Sequence, residues 1–233
     1  MAPSIALIHS PLTSAAVWGA VPDALRALGA RVAVPEVLDD DEPPYASHFV
    51  ARVAQQLHLD AEGEHLVLVG HGAAGPLLPQ IAFARQSSGT PVAGYVFVDA
   101  VLPRTMKAAT RLELVEAEDP VAGVELSHHL TSGGRYREWT DGELADTVTN
   151  AADRALLLAG LRPRGLDFFT EPLPVPEDWP DAPCGYLQLS EAAAAAARTA
   201  ELRSWTFCRV DAHHFWSLTD PDAFAATLLP LLT

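Results

Sequence analysis

The sequence predicts an α/β fold in which a mostly parallel, doubly wound sheet carries a helical cap insertion. Apolar runs of strand length alternate with amphipathic helical patterns along most of the chain. This alternation is typical of a parallel sheet with helices on both faces. One apolar run passes through a turn of Gly and Ala into a helical pattern, and the alternation is interrupted once, from Arg104 to Asp181. These three observations predict the fold class and the place of the insertion.

The part of the chain before the interruption is expected to supply strands and helices in turn. The predicted strands are Ser4 to Ile8, Arg31 to Pro35, the apolar run that leads from Glu64 into the Gly-rich turn, and Val92 to Val98. The predicted helices run from Trp18 to Leu28, from Ser47 to Leu59, and from the Gly-rich turn to about Gln86. The acidic run from Asp39 to Glu42 is typical of a solvated loop.

The interrupted segment mixes helical patterns with charge and ends in a Pro-rich stretch. We expect it to form an inserted cap, residues 104–181, on a core made of residues 1–103 and 182–233.

The sheet pattern resumes after the cap. Strands are predicted from Cys184 to Leu189 and from Trp205 to Val210, with an Ala-rich helix from Glu191 to Leu202 between them. The last helix is expected to start near Pro221, with Thr219 or Asp220 as its cap.

Composition narrows the range of functions. The 233 residues carry a formal net charge of −15, which disfavours binding to nucleic acids or anionic membranes. Cys184 and Cys208 lie in strand-like runs and are expected to be reduced core residues. Because the N-terminus lacks the pattern of a signal peptide, we expect a cytoplasmic protein. We also expect it to need no cofactor or metal and to take a small hydrophobic molecule, as a monomer or a homodimer.

The Gly-rich turn, Gly70-His71-Gly72-Ala73-Ala74, resembles the nucleophile elbow of the α/β-hydrolase superfamily, of the small esterase and hydroxynitrile-lyase-like type. The supporting marks, in chain order, are Ile8-His9-Ser10, Trp18 at the first helix, Gly75-Pro76 after the elbow, and His214 seven residues before Pro221. The resemblance covers nearly all of the chain outside the cap. It implies that Gly72 stands where the nucleophilic serine belongs, and glycine cannot act as a nucleophile.

The same resemblance implies roles for other residues. His214 fills the position of the general base, and Asp99 or Glu191 is the carboxylate that would orient it. Ser10 and the N–H of Ala73 would form an oxyanion hole. The further residues expected near the substrate are His9, His71, His128, His129, Arg135, Tyr136 and Trp139.

Three classes of function follow from this pattern. The first is an enzyme without a nucleophile, whose base and oxyanion donors catalyse a lyase, cyclase or isomerase reaction of a carbonyl or polyketide-like metabolite. The second is a residual hydrolase that uses Ser10 or a histidine-activated water, and the third is a non-catalytic binding protein. A glycine introduced into an active serine hydrolase would give the same sequence. The turn also fits G-x-G-x-x-G, but its position at the third strand argues against a dinucleotide site.

Overall fold

A computed structural model describes residues 3–38, 42–60, 66–86, 91–105 and 107–232. Its main sheet has six described strands in the order β2-β1-β3-β4-β7-β8, and every neighbouring pair is parallel. The strands of this sheet are β1 (Ser4–Ile8), β2 (Arg31–Ala33), β3 (Leu66–His71), β4 (Val92–Val98), β7 (Cys184–Gln188) and β8 (Thr206–Arg209). The prediction of a mostly parallel, doubly wound sheet is therefore confirmed.

Helices connect the strands and cover both faces of the sheet. The helices of the core are α1 (Val21–Ala27), α2 (Tyr45–Asp60), α3 (Leu78–Gln86), α9 (Ala194–Leu202), α10 (Trp216–Thr219) and α11 (Pro221–Leu228). Short 3-10 helices are formed by Ala15–Trp18, Gly72–Leu77, Glu191–Ala193 and Leu229–Leu232. Within the described residues, no helix is both long and apolar enough to cross a bilayer.

Side chains of the central strands alternate between two hydrophobic clusters. Ala6 and Ile8 of β1 pack into one cluster, and Ile5 and Leu7 pack into the other. Because both faces are covered, β1 is buried along its whole length, as parallel strands usually are. The chain leaves β1 for β2 on one side and later occupies β3 on the other. This reversal opens a crevice at the carboxyl ends of β1 and β3, where ligands of such sheets bind.

The first helical segment differs from its prediction. A continuous helix from Trp18 to Leu28 was expected, whereas a 3-10 turn ends at Trp18 and α1 starts at Val21. Gly19 lies between them with φ of +45°, a conformation that cannot continue a helix. The start of the last helix is as predicted, because the Asp220 carboxylate accepts the N–H of Ala223 at 3.1 Å and Pro221 is the first residue.

The segment between β4 and β7 is mainly helical. Its elements are β5 (Ala109–Thr110), α4 (Arg111–Glu118), α5 (Pro120–Thr131), α6 (Asp141–Leu144), α7 (Ala151–Ala159), α8 (Leu166–Thr170) and β6 (Pro172–Leu173). β5 pairs antiparallel with β6, so the two ends of the segment are tied together. The division of the chain into a core and a separate cap stays a prediction.

The loop predicted for the acidic run from Asp39 to Glu42 falls largely outside the described residues, because Asp39 to Asp41 are not among them.

Candidate active site

A histidine and an aspartate meet at the carboxyl edge of the sheet. His214 lies in the loop that follows β8, and Asp99 directly follows β4. The distance from Nδ1 of His214 to Oδ2 of Asp99 is 2.7 Å. Nδ1–H therefore donates to the carboxylate, which leaves the lone pair of the neutral imidazole on Nε2. This is the tautomer that a general base needs.

Four donors hold the Asp99 carboxylate in place. Oδ1 accepts the N–H groups of Leu189 and Ser190, each at 2.9 Å. Oδ2 accepts the Ser190 hydroxyl at 2.7 Å in addition to the imidazole. Burial opposes the charge on Asp99, but these hydrogen bonds outweigh it and hold the pKa of the carboxyl well below its usual range. Asp99 therefore stays ionised and fixes the orientation of His214.

Gly72 occupies the sharp turn between β3 and the following 3-10 helix. Its φ is +55°, in the left-handed region where glycine has no steric cost. A Cβ placed on Gly72 would lie 3.4 Å from Nε2 of His214, 3.3 Å from Cε1 of His214 and 3.8 Å from the Cβ of Ser10. The apex of the turn therefore points at the basic nitrogen. Gly75 also has a packing role, because a Cβ there would collide with the carbonyl of Val101.

Two hydrogen-bond donors adjoin this apex. The Ser10 Oγ accepts the N–H of Leu12 at 3.2 Å, and its own O–H makes no hydrogen bond to any described residue, so it is available to donate. Ala73 lies in the first turn of the 3-10 helix Gly72–Leu77, where backbone N–H groups lack partners within the helix. Both Ser10 and Ala73 line the cavity. Together they can stabilise negative charge that develops on a substrate oxygen.

The cavity above His214 has a volume of about 530 Å³. Its wall is built from the sheet edge and the segment between β4 and β7, and most of its exposed lining is apolar. Tyr136 and Trp139 line it, as expected from the sequence. A cavity of this size and character suits a small, mostly apolar molecule that carries a few polar groups.

Other residues singled out from the sequence lie elsewhere. Glu191 points to the surface and pairs with Arg209 at 3.2 Å, so Asp99 is the carboxylate that contacts His214. His128 and His129 are exposed on the last turn of α5. Arg135 donates to the carbonyl of Pro163 at 2.6 Å. The side chains of Glu191, His128, His129 and Arg135 do not line the cavity.

His9 and His71 are buried beneath the site. His71 donates from Nε2 to the carbonyl of His214 at 2.8 Å. Burial, together with the neighbouring His214, lowers the pKa of His71 to about 3 and keeps it neutral. His9 accepts the N–H of Val37 at 3.1 Å and packs edge-on against Phe49. These two histidines support the loops of the site without reaching the cavity.

Four charged residues of the cavity wall were not predicted from the sequence, namely Arg111, Glu118, Arg137 and Glu143. Glu118, at the end of α4, and Arg137, between α5 and α6, both line the cavity. Arg137 is flanked by Tyr136 and Trp139, so an arginine between two candidate aromatic residues was the available signal. Glu118 has no comparable signal, because its α4 pattern is that of an ordinary amphipathic helix.

Burial raises the pKa of Glu118 to about 7, and a hydrogen bond from the N–H of Leu102 only partly offsets it. Ionisation of this carboxyl in the folded state is therefore unfavourable. The cost is absent below about pH 4.5, grows up to about pH 7 and is constant above that. The free energy of unfolding of Glu118→Gln should therefore exceed that of the parent by more at pH 8 than at pH 4. We expect this difference between variant and parent to grow by up to about 3 kcal/mol over that pH range. Urea unfolding at the two pH values measures this.

The control for this experiment is Glu125→Gln, at an exposed position on α5, which should leave the pH dependence unchanged. A difference between Glu118→Gln and the parent that is the same at both pH values would mean that Glu118 ionises normally.

The arrangement offers a base, an orienting carboxylate and two donors around one apolar cavity. Among the described residues, no three His, Cys, Asp or Glu side chains converge as ligands for a metal ion. Cys184 and Cys208 are both free thiols, and neither lines the cavity. The base, the carboxylate and the two donors can together supply proton transfer with stabilisation of an oxyanion.

Comparison with known proteins gives a family and a set of similar structures. The family model described as "Alpha/beta hydrolase family" matches residues 5–227. No curated protein matches the chain. An extracellular alpha/beta-hydrolase from a Paenibacillus species is 18% identical with a TM-score of 0.75, and 98% of each chain is covered.

Two further similar structures are enzymes of different kinds. A pyrethroid hydrolase from Sphingobium faniae JZ-2 is 19% identical with a TM-score of 0.71, covering 100% of this chain and 98% of the other. A histidine-to-alanine variant of tomato methylketone synthase I, complexed with beta-ketoheptanoate, is 14% identical with a TM-score of 0.73, covering 99% of this chain and 98% of the other. At these identities the likeness concerns the fold.

Proposed function

Since the chain belongs to the alpha/beta hydrolase family, we propose that Gly72 stands in the place of the family's nucleophilic serine. We further propose that the site carries out non-hydrolytic, base-catalysed chemistry on a small carbonyl compound. The observation that carries the proposal is the intact His214–Asp99 pair, whose free Nε2 faces a residue without a hydroxyl. A base and an oxyanion hole suffice for proton abstraction, elimination, isomerisation or decarboxylation, because none of these reactions needs a covalent acyl-enzyme.

In this proposal, the substrate carbonyl oxygen accepts hydrogen bonds from the Ser10 hydroxyl and the Ala73 N–H. Nε2 of His214 removes a proton from the neighbouring carbon, and the electron pair of the C–H bond moves into an enolate. The two donors stabilise the negative oxygen, and Asp99 stabilises the imidazolium. His214 then returns the proton to another carbon or to a leaving group, which completes an isomerisation or an elimination.

Decarboxylation of a β-keto acid reaches the same enolate by another bond cleavage. The C–C bond to the carboxylate breaks, carbon dioxide leaves, and its bonding electrons form the enolate. For this reaction the imidazole takes a proton from solvent onto Nε2 before the C–C bond breaks, gives that proton to the carbon of the enolate, and is reprotonated by water. The tomato methylketone synthase is described with beta-ketoheptanoate and with 2-tridecanone, a β-keto acid and a methyl ketone. A β-keto acid that loses carbon dioxide becomes a methyl ketone, so this is the first reaction to assay.

Ester hydrolysis is the second candidate, favoured by the hydrolases among the similar structures. It would use the Ser10 hydroxyl as nucleophile or a water activated by His214. A non-catalytic binding protein is the third candidate, and it shares the cavity but not the dependence on His214.

We expect the purified protein to convert beta-ketoheptanoate to 2-hexanone and carbon dioxide faster than it hydrolyses 4-nitrophenyl butyrate. Product formation by gas chromatography and nitrophenolate release by absorbance measure the two reactions side by side. Ester hydrolysis without ketone formation, abolished by Ser10→Ala, would replace the proposal with the hydrolase. Binding of the keto acid without any product would favour the binding protein.

A further inference from the structure

The cavity wall holds a guanidinium group that forms no ion pair with a carboxylate of the described residues. Arg137 lines the cavity, and no carboxylate oxygen of the described residues lies within the 4.0 Å that defines an ion pair. Its Nε is buried and makes no hydrogen bond within the described part of the chain. Among the described residues, its one hydrogen bond runs from Nη1 to the Tyr136 hydroxyl at 3.4 Å. The group therefore has several donors left for a ligand.

The backbone around Arg137 is held in place by its neighbours. Tyr136 and Arg164 exchange backbone hydrogen bonds of 2.9 and 2.7 Å, and Arg135 donates to the carbonyl of Pro163. The Arg137 guanidinium lies 4.8 Å from the centroid of the Trp139 ring and 5.5 Å from that of Tyr136. Contacts with ring faces favour a cation and restrict its position. The guanidinium is therefore oriented before a ligand arrives.

A series of ring contacts connects this cation with the catalytic histidine. The Trp139 ring packs edge-on against Phe215 with centroids 5.1 Å apart. Phe215 packs edge-on against the His214 imidazole with centroids 5.0 Å apart. The guanidinium and the base are thus connected through the rings of Trp139 and Phe215. An anion on Arg137 would belong to the end of a ligand that is remote from the atoms on which His214 acts.

The other charges near Arg137 leave this position open to an anion. Glu143 also lines the cavity, and hydrogen bonds from Thr140, followed by the charge of Arg137, lower the pKa of its carboxyl. Its carboxylate is held away from ion-pair distance of Arg137 because it accepts the N–H and hydroxyl of Thr140 at 2.7 and 2.8 Å. Arg111, the other arginine of the wall, already pairs with Glu171 at 3.3 Å. Arg137 is thus the arginine of the described cavity wall without a carboxylate partner.

We propose that the cavity takes a carboxylate-bearing substrate and that Arg137 binds its carboxylate, several bonds away from the carbonyl group that reacts at His214. The planar fork of a guanidinium matches the two oxygens of a carboxylate. The inference rests on the proposed function only in taking this cavity as the substrate site. It narrows the class of the protein's own substrate to oxo acids that keep one carboxylate through the reaction, whereas beta-ketoheptanoate, whose single carboxylate leaves as carbon dioxide, probes the reaction type alone.

The test compares two probes, 6-oxoheptanoate and its methyl ester, which differ in the charge at one end. Their affinities are measured by isothermal titration calorimetry on the full chain at pH 7.5. The parent is expected to bind the acid at least about tenfold more tightly than the ester, because a hydrogen-bonded charge pair is lost with the ester. Raising the salt concentration should weaken the binding of the acid and leave the binding of the ester unchanged.

Arg137→Gln is expected to remove this preference, and Arg137→Lys to keep part of it, since lysine keeps the charge but not the fork. The matched control is Arg203→Gln. The Arg203 guanidinium also lies over a tryptophan, 5.4 Å from the ring of Trp205, but it does not line the cavity. This variant should behave as the parent does.

The proposal would be overturned if the parent bound acid and ester equally well or failed to bind the acid. It would also be overturned if Arg137→Gln still bound the acid more tightly than the ester. Loss of the preference for the acid in Arg203→Gln, to the same extent as in Arg137→Gln, would also overturn it. Because neither probe has to react, these outcomes are separate from the proposed function. A protein that binds the acid through Arg137 but turns over no carbonyl compound would contradict the proposed function alone.

Discussion

Replacing Gly72 by serine is expected to give the protein esterase activity that the parent lacks. The Cβ position of residue 72 lies 3.4 Å from Nε2 of His214, so a serine Oγ falls within hydrogen-bond reach of the base. Ser10 and the Ala73 N–H are in place to stabilise the tetrahedral intermediate. We expect hydrolysis of 4-nitrophenyl butyrate to rise at least about a hundredfold over the parent, which is modest against the roughly millionfold effect of an evolved triad.

The same substitution carries a structural cost. A side chain at φ +55° costs about 1–2 kcal/mol in free energy of unfolding, and the imidazole has to move by a few tenths of an ångström. Gly72→Ala is the matched control, because it has the same Cβ without the hydroxyl. It should lose the same stability in thermal unfolding and gain no esterase activity. A folded Gly72→Ser variant as inactive as Gly72→Ala would mean that the base or the oxyanion donors are not in working order.

Replacing Asp99 by asparagine is expected to abolish most of the activity in either background. Oδ1 of Asp99 accepts two backbone N–H groups, those of Leu189 and Ser190, so the asparagine must keep its oxygen at that position. Its NH₂ group would then face Nδ1 of His214 and force the proton onto Nε2. The imidazole could no longer accept a proton from the substrate, and we expect a loss of about a thousandfold to ten-thousandfold in kcat.

The esterase activity of Gly72→Ser provides the assay for Asp99→Asn, so this prediction does not depend on knowing the natural substrate. Glu191→Gln is the matched control. Glu191 is the other carboxylate that the sequence offered, and its contact is a surface pair with Arg209. Its substitution should change kcat by less than about twofold. An Asp99→Asn variant with unchanged kcat would show that another group orients His214.

The sheet and the base were predictable from the sequence because their signals are local. The strand Val92 to Val98 was predicted with the bounds that the structure has, since a run of buried apolar residues is its own signal. His214 was identified by its order in the chain. Local sequence could not decide whether Asp99 or Glu191 orients His214, because both residues follow a strand. It depends on the positive φ of Asp99 and on its contacts with Leu189 and Ser190, about 90 residues away in sequence.

The cavity wall was less predictable because it is made by tertiary contacts. The position of Arg137 depends on the backbone pairing of Tyr136 with Arg164, which no periodicity in the sequence indicates. The raised pKa of the Glu118 carboxyl likewise depends on its burial in the folded protein, beside Leu102. Such effects arise when distant segments pack together, whereas helical and strand patterns are encoded within a few residues.

The central claim is that His214 catalyses a reaction at carbon without a covalent intermediate. Its most direct test is the rate of carbon dioxide release from beta-ketoheptanoate by the parent and by His214→Ala, with His128→Ala as the control on an exposed histidine of α5. The account predicts turnover by the parent, an unchanged rate for His128→Ala, and a loss of at least about a hundredfold for His214→Ala. Equal rates for the parent and His214→Ala would contradict it.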